Sequence, residues 1–78
     1  MKVNIEYCME WGFKVHAETL VRELKEKFKG VDAKLFPSSG GVFEIKMDGE
    51  LIFSKKEIGR FPMMGEVVGI IEGRISDK

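Results

Sequence analysis

The first stretch of the chain alternates, with Val3, Ile5 and Tyr7 on one side and Lys2, Asn4 and Glu6 on the other. Period two over residues 1–7 predicts a half-buried strand. The apolar spacing then changes to steps of three and four: Phe13, Ala17, Leu20, Val21, Leu24 and Phe28. That stripe predicts a helix over 13–29. Its outer face sets Glu18 before Arg22 and Glu23 before Lys27, pairs worth ~0.2–0.5 kcal/mol each. Gly30 is placed to stop the helix in a left-handed turn. Alternation returns over 31–36, with Val31, Ala33 and Leu35 inward.

Two strands joined by one helix predict a parallel pair with a right-handed crossover. Pro37-Ser38-Ser39-Gly40-Gly41 reads as a loop. Val42–Met47 and Glu50–Ser54 read as short strands around Asp48-Gly49, a type I′ hairpin signal. Residues 55–60 read as a connecting loop, and Pro62 suits the first turn of a second helix over about 62–75. Its predicted core stripe is Met64, Val67, Val68, Ile71 and Ile75.

Every predicted strand has one apolar and one largely polar face. Strands covered on both sides would read as continuous apolar runs. Both helices are therefore expected on the same face of a four-stranded sheet. The order β-α-β-β-β-α then gives an α/β chain in a two-layer α+β arrangement. Phe36, Val42 and Ile52 are expected to point outward on the open face as a small apolar patch.

Composition narrows the function classes. The chain has 78 residues, which predicts a single domain over 1–78 with a modest core. Its formal net charge is +0 with both signs interspersed, so it carries no electrostatic footprint for nucleic acid or an acidic membrane. No apolar run approaches the ~18 residues of a membrane span, and Met1–Glu6 shows no signal-peptide core. One cysteine makes no internal disulfide, and no Cys/His cluster suggests a metal. A cytoplasmic protein is expected.

That cysteine, Cys8, falls between the first strand and the first helix. A helix N-terminus there would favour a reactive thiolate, although the Glu10 carboxylate would oppose it. Without that activation, Cys8 would simply be a small buried hydrophobe.

Three segments resemble the selenoprotein W-like (Rdx) family. Tyr7-Cys8-x-x-Trp11-Gly12 is similar to its redox loop. Ser38-Ser39-Gly40-Gly41-Val42-Phe43-Glu44 with Asp48-Gly49-Glu50-Leu51-Ile52-Phe53-Ser54-Lys55-Lys56 looks like its central hairpin. Gly59-Arg60-Phe61-Pro62 looks like its lead into the last helix. The resemblance implies a reduced thioredoxin-like fold, β-α-β-β-β-α, with a mixed sheet and both helices on one side. It implies a partly exposed Cys8 as the first redox residue and position 11 as the second. It implies a thiol- or selenol-based redox role, with glutathione as co-substrate or a protein thiol or disulfide as partner. It also implies that the loop before the third strand lies beside Cys8, with Pro37 the candidate for a cis proline.

Trp11 departs from the pattern, because the family carries cysteine or selenocysteine there and indole can neither attack a disulfide nor resolve one. Natural loss, deliberate replacement and a selenocysteine codon read as tryptophan (UGA against UGG) all remain open. The rival reading is a non-catalytic protein-binding module that uses the Cys8/Trp11 edge as its docking surface, with Trp11 either a lid over the helix start or an anchor.

Other residues read more plainly. His16 falls on the outer helix face as a solvated side chain. Lys55, Lys56 and Arg60 form a solvated loop that could also receive a glutathione carboxylate. Met63-Met64 reads as core and rim. Gly65, Gly69 and Gly73 line one helix edge, and each costs ~0.8–1 kcal/mol of helix propensity. They suggest close backbone approach, to the chain's own sheet or to a second subunit in a homodimer.

Overall fold

The computed structural model describes residues 1–10 and 12–76. The elements are β1 (Lys2–Cys8), α1 (Phe13–Lys27), β2 (Asp32–Ser38), β3 (Phe43–Met47), β4 (Glu50–Ser54), α2 (Lys55–Ile58) and α3 (Glu66–Ser76). The strands form one mixed sheet in the order β2-β1-β3-β4. β1 runs parallel to β2 and antiparallel to β3, and β4 is antiparallel to β3.

Strand registry carries one row of inward residues across the sheet: Leu35, Ile5, Ile45 and Phe53. Ile5, Ile45 and Phe53 are buried in a single cluster with Ala17, Leu20 and Leu24 of α1 and Val67, Val68 and Ile71 of α3. Both long helices thus cover the same face, as the alternation predicts. A hydrogen bond from the Gly65 amide to Glu23 Oε2 (2.9 Å) ties the approach to α3 onto α1. The Asp48-Gly49 turn has φ of 49° and 89°, the double positive φ that a type I′ hairpin requires.

Several boundaries differ from the expected ones, each for a local reason. α1 ends at Lys27 because Phe28 is already extended (φ −125°, ψ 106°). The expected loop at 55–60 contains a helical turn instead. Ser54 Oγ caps it by accepting from the Glu57 amide at 3.3 Å, and Gly59 ends it at φ 87°. Ser54-x-x-Glu57 followed by Gly59 is a start and stop signal legible in the sequence.

The last helix starts at Glu66 and not at Pro62. Gly65 has φ 81°, which no α-helix passes through, and Glu66 Oε1 reaches back to accept from the Met63 amide at 2.8 Å. Met64 therefore lies outside the helix at 93% exposure and is no part of the core, and Ile75 is also exposed. Among the described residues the glycine edge makes no close approach to the chain's own sheet: a Cβ on Gly65, Gly69 or Gly73 would meet nothing within 4 Å.

The open face is also rearranged. β3 and β4 slip register between Ile45 and Lys46, so that Ile45 faces Phe53 while Lys46 faces Leu51. Ile52 falls in the bulge and packs against the core, whereas Leu51 is 42% exposed. The expected patch of Phe36, Val42 and Ile52 loses Ile52 to the core. Pro37 belongs to β2 and not to the loop, and its peptide bond is trans. β2 is an edge strand, where a missing N–H is tolerated.

Candidate functional site

Cys8 is the last residue of β1. Its amide donates to the Val42 carbonyl at 2.8 Å, and the next amide, of Met9, donates to the Ser38 carbonyl at 3.1 Å. Cys8 is paired with Ser38 across the parallel ladder. The β2–β3 loop therefore flanks the cysteine, as expected. Gly40 and Gly41 both take left-handed φ (77° and 72°), and this lets the chain turn between its two contacts with the Cys8 strand.

The side chain itself departs from expectation. Cys8 is 1% exposed, a buried thiol and not a partly exposed one. α1 begins at Phe13, where the apolar stripe predicts it, behind Gly12 at φ 95° and with no side-chain cap. Among the described residues the sulfur's hydrogen-bond donor is the Glu10 amide at 3.5 Å. Met9, by contrast, is 69% exposed beside the buried sulfur. Trp11, the second expected site residue, lies outside the described residues.

At the same end of the sheet lies an aromatic cluster that the spacing did not reveal. Phe61 meets Phe13 edge-on (5.0 Å, 65°) and Phe43 edge-on (5.2 Å, 73°). His16 stacks flat on Phe61 at 3.8 Å and 5°, so it is a packing partner and not simply a solvated side chain. Lys55 Nζ stands 5.3 Å from the Phe61 centroid and 5.5 Å from that of Phe13, within cation–π range. The residues come from four separate segments, which is why no local pattern announces them.

The expected cationic loop is largely engaged. Arg60 grips both oxygens of Glu66, at 2.7 and 3.0 Å, and also donates to the Phe61 carbonyl at 3.0 Å. Donation from Arg60, then from the Met63 amide, holds the Glu66 carboxyl down at about 2. Lys55 is occupied by the aromatic rings. Lys56 is exposed and has no ion pair among the described residues. Also among them, no Cys, His, Asp or Glu side chains are grouped to hold a metal ion, and no helix is long and apolar enough to cross a membrane.

Comparisons with known proteins bear on this geometry. The model of the Rdx family matches residues 2–73. The chain is 32% identical over 71 residues to migration and invasion enhancer 1 of Bos taurus, across 91% of this chain and 62% of that protein. It is 38% identical over 60 residues to the protein of the same name in Mus musculus, across 77% of this chain and 52% of that one. It thus spans less than two thirds of the length of either relative. Among solved structures it is similar to a selenoprotein W-related protein from Vibrio cholerae, with TM-score 0.76, 29% identity, and 97% and 92% of the two chains covered. A Bordetella parapertussis protein superposes with TM-score 0.79 and 26% identity, covering 97% and 94%.

Proposed function

The chain belongs to the Rdx family and has its thioredoxin-like fold, and from that premise we propose that it is a thiol-based redox protein acting through Cys8. The observation that carries the reading is the position of Cys8. It ends a central strand next to the β2–β3 loop, which contacts it on both sides of the turn.

In the proposed cycle, the Cys8 thiolate attacks one sulfur of a disulfide such as glutathione disulfide. The Cys8–glutathione bond forms, the glutathione S–S bond breaks, and one glutathione thiolate leaves with the electron pair. Regeneration requires a second thiolate to attack the mixed disulfide and expel Cys8. In a chain with cysteine or selenocysteine at position 11, that residue would supply the group. With Trp11 there, free glutathione must do it. Because the sulfur is 1% exposed, the segments flanking it must part before a disulfide reaches it.

The test compares this chain with Trp11→Cys in a disulfide-reduction assay, with Cys8 adducts followed by mass. The tryptophan form should accumulate a glutathione adduct on Cys8, while the substituted form should make an internal disulfide and turn over. Equal turnover would remove position 11 from the mechanism.

A second reading, a binding module without turnover, is favoured by the buried sulfur beside an exposed Met9. It predicts that neither form reacts and that a protein partner binds the tryptophan form alone.

A further inference from the structure

The helix-free face of the sheet holds a groove of about 320 Å³ lined by Asn4, Glu6, Phe36, Pro37, Glu44 and Lys46. Registry across the strands explains its chemistry. One row runs Phe36, Glu6, Glu44, Ser54 from β2 to β4. Two carboxylates thus stand directly opposite each other on neighbouring strands, an arrangement that destabilises a sheet. Neither is in an ion pair among the described residues.

Glu44 has a further unmet demand. Ser54 Oγ donates to its Oε1 at 2.8 Å, but its Oε2 is shut off from solvent and has no donor among the described residues. A carboxylate oxygen left in that state costs stability until a donor arrives. Beside the pair stands Phe36, 45% exposed. The rim carries one cation, Lys46, against the two carboxylates.

We propose that this groove receives an arginine side chain from a partner protein. A guanidinium is planar and presents several N–H donors in a fixed fork. It can bridge Glu6 and Glu44 while its flat face lies on the Phe36 ring. Entry of the fork turns the Glu44 carboxylate toward a donor and ends the repulsion across β1 and β3. An ammonium brings neither the fork nor the flat face. A neutral urea group of the same shape brings no charge.

The probe is the peptide acetyl-Gly-Ala-Arg-Ala-Gly-amide, titrated into the whole chain and followed by amide NMR shifts. Saturable shifts should centre on Asn4, Glu6, Phe36 and Glu44. Lysine or citrulline in place of arginine should weaken binding at least about tenfold. Glu6→Gln should weaken arginine binding by a similar factor while leaving the fold intact, since Glu6 is exposed. Glu44→Gln keeps an acceptor for Ser54 and should act in the same direction. Shifts that do not saturate, equal binding of the lysine or citrulline peptide, or an unaffected Glu6→Gln variant would overturn the proposal. So would concentration-dependent shifts of the same residues without peptide, which would make a second copy of the chain the occupant.

Discussion

The Cys8 amide donates to the Val42 carbonyl at 2.8 Å, across the mouth of a turn in which Gly40 and Gly41 are both left-handed. The backbone of the sole cysteine is thereby pinned to a loop whose shape depends on two glycines.

That relationship makes access to the thiol adjustable. Gly41→Ala meets no steric obstacle among the described residues, none of which lies within 4 Å of the added Cβ, but it puts a side chain at φ 72°. The strain is about 1–2 kcal/mol, borne by the turn that holds Val42 against Cys8. Alkylation of Cys8 by iodoacetamide should therefore be several-fold faster in Gly41→Ala than in the parent chain. An unchanged rate would mean that the β2–β3 loop does not limit access.

The Arg60–Glu66 pair predicts a pH dependence. The Glu66 carboxyl is lowered from 4.5 to about 2 in the folded chain by Arg60 and then by the Met63 amide. A depressed carboxyl favours folding above its unfolded value, and the benefit is lost as pH falls through the folded one. Thermal unfolding midpoints should thus drop between pH 5 and pH 2, and the drop should be smaller in Glu66→Gln. Parallel curves for the two proteins would show that the pair contributes nothing. The effect is modest in any case, because both partners are solvent-accessible.

The glycine edge gives the third prediction. Gly69 lies inside α3, exposed, with open space where a Cβ would stand. Gly69→Ala should raise stability by about 0.5–1 kcal/mol, measured by urea unfolding, because the helix gains propensity and loses no contact. A loss of stability that depends on protein concentration would instead reveal a second subunit packed along Gly69 and Gly73.

What was legible in the sequence followed from periodicity. The alternation of Val3, Ile5 and Tyr7 and the stripe of Ala17, Leu20 and Leu24 specified which face of each element is buried, and hence that α1 and α3 share one side of the sheet. Asp48-Gly49 specified the hairpin, because few residues other than Gly, Asn and Asp tolerate its backbone angles. The family resemblance placed Cys8 beside the β2–β3 loop, and the two backbone hydrogen bonds are there.

Tertiary structure decided what periodicity does not encode. A bulge between β3 and β4 exchanged the places of Leu51 and Ile52, since one unpaired residue reverses the alternation beyond it. Side-chain reach from Glu66 to Arg60 and Met63, with Gly65 left-handed, set the start of α3 four residues after Pro62. The burial of Cys8, the stacking of His16 on Phe61 and the facing pair Glu6 and Glu44 all join segments distant along the chain. A pattern read along one segment describes which way each side chain points. It does not describe what the fold brings to meet it.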